Sequence, residues 1–200
     1  MPRIILFVLI LATLSFAYTD KRIDEFKSFL NSLDNKNSME KINMVNFYFN
    51  QIVQSYDSYE NNTDDIWDSA IDFIIQGKGD CEEFAISKYE VLKRKGIDKD
   101  RLFLMVVSEY RCGQTPCHLV TAYYEQDQNP LILDNLSFRI LPLNQRSDLQ
   151  PIMIFNDKES FWIDKEGKKT TIVDTPFPQR IRELEQKLDA QLKKYQIKLK

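Results

Sequence analysis

Cys81 lies in the run Gly79-Asp80-Cys81-Glu82-Glu83-Phe84-Ala85, followed by the chain's only histidine, His118, and then by Asp134 in a short apolar segment. A single imidazole excludes histidine-rich metal sites and forces any imidazole-based mechanism through His118. A thiol is a weak nucleophile until it ionises, and a helix N-terminus offers the partial positive charge and unpaired amides that favour the thiolate. The same amides can hold the oxyanion that forms when sulfur attacks a carbonyl. Cysteine, histidine and aspartate in that order read as nucleophile, base and orienter of a cysteine enzyme.

The elements that must position these groups are legible around them. Asp80 has the character of an N-cap, and Ala85, Ile86, Tyr89 and Leu92 form an apolar stripe that stops at Gly96, so Cys81 opens a helix. Upstream, Ile23, Phe26, Phe29 and Leu30 recur at helical spacing, as do Ile42, Val45, Phe49, Ile52 and Val53. Residues 57–64 lack apolar period and form a loop leading to Trp67, and a helix through Ile71, Ile74 and Ile75 ends at Gly77. Beyond the cysteine helix the pattern changes to strands over Leu102–Val107, Leu119–Tyr124, Leu131–Leu133 and Phe138–Leu141. Helices followed by an antiparallel sheet predict an α+β fold with the nucleophile helix packed on the sheet.

A hairpin whose turn centres on Gln126 pairs positions summing to 252, which sets His118 directly opposite Asp134. Residues so paired have β-carbons about 4.5–5.5 Å apart, close enough for a carboxylate to orient an imidazole. Taken singly, His118 reads as a structural histidine beside a loop and Asp134 as a turn residue before Asn135. Jointly with Cys81 they read as catalytic. Asp80 and Glu82 pose a separate problem, since two carboxylates beside a thiolate raise its pKa. Either a hard cation with oxygen ligands neutralises them, or Asp80 merely caps the helix while Glu82 and Glu83 meet its dipole.

Two hundred residues, 43% hydrophobic and 28% charged, describe one globular domain. A net charge of −3 gives no electrostatic footprint for nucleic acid. Residues 1–17 have the layout of a signal peptide: Arg3, an apolar run from Ile4 to Leu14, and Ser15-Phe16-Ala17 as a cleavage site. Asp20, Lys21 and Arg22 interrupt that run too soon for a spanning helix, which needs about 20 apolar residues. Export to an oxidising compartment allows Cys112 and Cys117, which bracket a turn-rich loop, to pair and leaves Cys81 as the odd thiol. Residues 18–180 make the main domain. From Ile181, an amphipathic tail over residues 181–200 carries Leu184, Leu188, Leu192, Tyr195 and Leu199 on one face and reads as a helix lying on the domain.

At these residues the chain resembles the bacterial transglutaminase-like cysteine proteinases, specifically the LapG type of periplasmic protease. The resemblance runs from about Asn46 to Asn156. It rests on Asp65-Ile66-Trp67, on residues 77–89 around Cys81, on His118-Leu119-Val120 with Ala122-Tyr123-Tyr124, on Pro130–Leu136 and on Arg146-Ser147-Asp148-Leu149 with Phe155-Asn156. It implies a papain-like, transglutaminase-type core, proteolysis by Cys81, His118 and Asp134, and Ca²⁺ held by Asp80 and Glu82. It further implies a large surface adhesin as substrate, cut near its N-terminus to release cells from a biofilm. The periplasmic domain of an inner-membrane cyclic-di-GMP receptor is the implied regulator. Glu83 in place of the family's frequent Asp, Ala70 in place of Pro, and the loop between Cys112 and Cys117 depart from the pattern. Other readings of the same residues are a transglutaminase-type acyl transferase and a catalytically silent binding module.

Overall fold

The computed structural model describes residues 19–55, 67–109 and 117–198. The chain begins with α1 (residues 19–32) and α2 (Ser38–Phe49), passes through the short β1 (Val53–Gln54), α3 (Ala70–Gln76) and β2 (Lys78–Gly79), and reaches α4 (Cys81–Arg94). Strands β3 (Leu102–Glu109), β4 (His118–Tyr123), β5 (Leu131–Leu133), β6 (Leu141–Pro142), β7 (Leu149–Phe155), β8 (Ser160–Ile163) and β9 (Lys169–Val173) follow, and α5 (Phe177–Lys194) closes the chain. The seven later strands form one sheet in the order β6-β5-β4-β3-β7-β8-β9, with every neighbouring pair antiparallel. The fold is α+β, with the helix that Cys81 heads packed on an antiparallel sheet.

β3 is buried on both faces, so its side chains divide by period two. Leu102 and Leu104 enter the large core beneath the helices, whereas Phe103, Met105 and Val107 enter a smaller core with Val120, Ile132, Leu143 and Ile154. α4 supplies Phe84, Ala85, Ile86, Tyr89 and Leu92 to the large core, and the Thr121 hydroxyl of β4 donates to the Ala85 carbonyl at 2.8 Å. A buried bond of this kind contributes about 1 kcal/mol and fixes the helix along the strand. This packing of helix on sheet sets Cys81 beside the start of β4.

Gly77 ends α3 in the left-handed region at φ 67°, and a β-carbon there would strike the Arg22 guanidinium, which donates to the Ile75 carbonyl at 2.7 Å. Two residues later, a β-carbon at Gly79 would lie under 3.0 Å from the Phe73 ring and Glu83 Cβ. Glycine at both positions lets the chain turn from α3 into the Asp80 cap without steric conflict.

Three expectations require correction. The β4–β5 hairpin pairs Thr121 with Leu133 and Tyr123 with Leu131, sums of 254 rather than 252, so Asp134 falls opposite Val120 and diagonal to His118. α2 stops at Phe49 rather than continuing through Ile52 and Val53; Asn50 caps it and turns its amide side chain to the carbonyls of Asp134 and Ser137. No strand spans Phe138–Leu141, because the Ser137 hydroxyl takes the Arg139 amide in a local turn and only Leu141–Pro142 pairs. The last helix begins at Phe177, with a proline in its first turn, and Ile181, Leu184 and Leu188 share the large core. Each such side chain contributes roughly 1.5–3 kcal/mol. The loop over residues 57–64 and residues 1–17 lie outside the described residues.

Candidate active site

Cys81 is the first residue of α4, as its flanks predict. Asp80 caps the helix in a capping box: its carboxylate receives amides of the first turn, while Glu83 Oε2 accepts from the Asp80 amide at 3.1 Å. Glu83 Oε1 also accepts from the Asp68 amide at 3.3 Å, tying the segment before α3 to the head of α4. Capping and a cluster of acids therefore coexist here.

His118 begins β4, paired with Val107 beside a register shift between β3 and β7. Its Nε2 lies 2.9 Å from Asp134 Oδ1. Both groups are buried, the Asp134 side chain completely. The two-residue slip in register preserved this contact because a shift of two keeps a side chain on the same face, and a diagonal neighbour remains within reach of a long side chain. With Nε2 committed to Asp134, Nδ1 is the ring nitrogen left for the thiol. The backbone of Leu119, the next residue, acts on the Cys81 thiol to favour its ionised form. The structure thus brings His118 and Asp134 into direct contact and sets Cys81 at the head of α4, which packs against β4.

Sequence reading missed two neighbours. Arg146, just after the 3-10 turn Leu143–Gln145, donates from Nη2 to Asp134 Oδ2 at 2.6 Å and grips Asp148 through Nε and Nη2. Glu109, ending β3, brings a carboxylate oxygen to 3.8 Å from His118 Nε2. Arg146 stands at the start of one matched block of the chain, a signal that was present without a role attached. Glu109 carried no signal, since strand pairing alone brings it near.

Burial would raise the Asp134 pKa, but the hydrogen bond and charge of His118, the Leu136 amide and Arg146 overcome it and hold the carboxyl well below its usual range. The thiol faces the opposite balance. Burial first, then the charge of Glu82 and the 2.8 Å bond the thiol donates to Glu82 Oε2, push Cys81 well above its ordinary range; the Leu119 amide pulls the other way. Burial, with the hydrogen bond and charge of Asp80, lifts Glu82 to about 7 and Glu83 to about 9.

One ligand atom from each of Asp80, Cys81 and Glu82 lies within 4.8 Å of the others. Two carboxylates crowded into a half-buried site, both able to present oxygen, fit a hard divalent cation. Cys117 is disulfide-bonded and Cys81 is free. The chain has three cysteines, and the remaining one, Cys112, lies outside the described residues.

A seven-stranded antiparallel sheet with a cysteine-headed helix against a histidine-bearing strand defines a transglutaminase-like cysteine proteinase core. The chain belongs to the bacterial transglutaminase-like cysteine proteinase family (BTLCP), matched over residues 22–168. Its structure is similar to Legionella pneumophila LapG in an EGTA-treated form, with a TM-score of 0.73 at 30% identity, covering 88% of this chain and 94% of that one. It is similarly close to calcium-bound L. pneumophila LapG, with a TM-score of 0.72 at 30% identity over 88% of this chain and 97% of that one. Comparison with curated proteins found no match. No described helix is long and apolar enough to cross a membrane.

Proposed function

We propose that the protein is a periplasmic, calcium-dependent cysteine endopeptidase in which Cys81 is the nucleophile, His118 the general base and acid, and Asp134 the orienter. The observation that carries this reading is the 2.9 Å contact of His118 Nε2 with buried Asp134, on a strand packed against the helix that Cys81 heads. His118 takes the thiol proton as sulfur bonds to the scissile carbonyl carbon, then gives that proton to the departing amine as the C–N bond breaks. Water next attacks the thioester, with His118 accepting its proton and returning it to the sulfur as the C–S bond breaks. Amides at the head of α4 are placed to stabilise the oxyanion in both halves.

Asp80 and Glu82 are the residues that would hold calcium, and the L. pneumophila relatives in calcium-bound and EGTA-treated forms support that assignment. Bound there, the ion would supply positive charge that neutralises the carboxylates beside the thiol and draws Glu82 away from it as an acceptor. The surrounding chemistry agrees, since a thiol bonded to a carboxylate is held in its unreactive form.

The proposed substrate is a large surface adhesin cut near its N-terminus, which releases it and promotes biofilm dispersal. The periplasmic domain of an inner-membrane cyclic-di-GMP receptor is the proposed regulator. Both proposals extend what the resemblance to the LapG type implies. Incubating the mature protein with the N-terminal portion of a co-encoded large adhesin, with calcium or chelator, and sequencing the fragment ends tests the reading. A shortened product that appears only with calcium is expected; an amine-adducted or cross-linked product would replace hydrolysis with acyl transfer.

A further inference from the structure

Asp134 has two carboxylate oxygens and three donors. Oδ1 receives the His118 ring and the Leu136 amide at 3.0 Å, and Oδ2 receives Arg146 Nη2 at 2.6 Å. Arg146 is itself held from behind, with Nε at 3.0 Å and Nη2 at 2.7 Å from the carboxylate of Asp148, whose side chain is largely exposed. The guanidinium is therefore a rigid fork anchored at the surface and pointed into the site. It matters because a second carboxylate, Glu109, approaches the same ring nitrogen to 3.8 Å. An imidazole between two acids has two orientations open to it unless one acid is fixed.

We infer that Arg146 is a positioning residue of the reaction: by occupying Asp134 Oδ2 it turns Oδ1 toward His118 and selects Asp134 over Glu109 as the partner of the ring. This inference rests on the Cys81–His118–Asp134 reading above. The charged groups that bear on Asp134 are His118 from β4, Arg146 after the 3-10 turn and Lys88 from α4, whose fully buried ammonium feels the Asp134 charge. Glu109 reaches it through His118, and Asp148 through Arg146. Removing Arg146 takes away the neighbour that both aims Asp134 and helps keep it ionised.

The single histidine makes the test direct, since tag-free protein labelled with ¹⁵N gives imidazole signals from His118 alone. In the calcium-loaded parent protein the ring is expected as the Nε2–H tautomer. In Arg146→Met the tautomer signals broaden or shift, the rate of Cys81 alkylation by iodoacetamide at neutral pH falls roughly tenfold or more, and its acidic limb moves to higher pH. Arg146→Lys restores the charge without the fork, so it recovers the acidic limb but only part of the rate. Cleavage of an adhesin fragment follows with a lower kcat and a KM changed less than about twofold.

A cooperatively folded Arg146→Met protein with the parent's ¹⁵N pattern and alkylation profile overturns the inference. Should that variant not fold, Arg146→Lys decides, and full parental rate and spectrum in it overturn the inference equally. Failure of the parent protein to cut any adhesin fragment would instead strike the proposed substrate, because alkylation and tautomer are read without one. An unchanged alkylation rate in His118→Ala would strike the triad itself.

Discussion

Two groups of carboxylates, Asp134 beside His118 and Glu82 with Glu83 at the head of α4, are balanced oppositely. Asp134 is fully buried yet held below its usual range, because His118, a backbone amide and Arg146 all donate to it. Glu82 and Glu83 are raised, to about 7 and about 9, by burial first and then by the hydrogen bond and charge of another acid, Asp80, with no cation among the described residues to offset them. Burial raises a carboxylate unless the donors folded around it outweigh that cost, as they do at Asp134 and not at Glu82 or Glu83. The chain supplies a cation to one group and leaves the other to recruit one.

The harshest way to break this contrast is to strip the well-satisfied side. His118→Ala removes the donor on Asp134 Oδ1 together with the base, and turnover should fall by on the order of 10⁴-fold or more in a protein that still folds. Full activity in that variant, assayed on an adhesin fragment, would end the mechanism. On the other side, Glu82→Gln or Asp80→Asn should lose calcium binding in titration calorimetry and lose activity by roughly 10–100-fold. Equal turnover of the parent protein with and without chelator would remove the ion from the account.

Stability against pH sharpens the contrast because the two groups have opposite signs. Asp134, depressed in the folded state, contributes stability at neutral pH that is lost as the pH falls below about 4. Glu82 and Glu83, raised in the folded state, contribute fully below about pH 4.5 and cost stability as the pH climbs through about 7 and about 9. Calcium-free protein should therefore show a falling thermal midpoint from about pH 5 to about pH 9, and saturating calcium should flatten that limb. Identical limbs in the two preparations would show that the ion binds elsewhere.

Glu90 provides the smallest and cleanest probe, being a third acid on α4, fully buried, with no proposed metal and only the Ala70 amide and the charge of Arg94 to offset its burial. One oxygen accepts from the Ala70 amide at 2.7 Å, and burial lifts its pKa to about 8. Glu90→Gln should match the parent near pH 4 and become more stable by roughly 1–3 kcal/mol as the pH approaches 8, read from urea midpoints, with activity unchanged. A variant that loses stability throughout that range would show that the carboxylate has a partner the hydrogen bonds do not reveal.

Much of the site was readable from local pattern. The capping of α4 by Asp80, the apolar stripe from Ala85 to Leu92 and the break at Gly96 depend on neighbours a few residues apart, and each appears where the spacing places it. The hairpin register was less secure. Its face is set by alternation, but its exact pairing is set by the turn and by what β5 meets next, so Asp134 moved by two residues while keeping its partner. The strand expected at Phe138 failed because a single hydroxyl, that of Ser137, outcompeted the ladder for a backbone amide. β7, β8 and β9 gave no expectation of their own: Pro151 interrupts the β7 pattern, and β8 and β9 are four and five residues long with largely unburied positions.

The amino-acid sequence alone determined which atoms could react: one imidazole, one cysteine at a helix head, and acids beside it. The folded chain decided which acid serves which partner. Arg146 lies 12 residues from Asp134 and Glu109 lies nine before His118, separations with no helical or strand periodicity to betray a contact. They meet because the end of β3, the start of β4 and the turn before β7 lie at the same end of the strands, and it is long-range pairing of backbone, not local propensity, that brings them together.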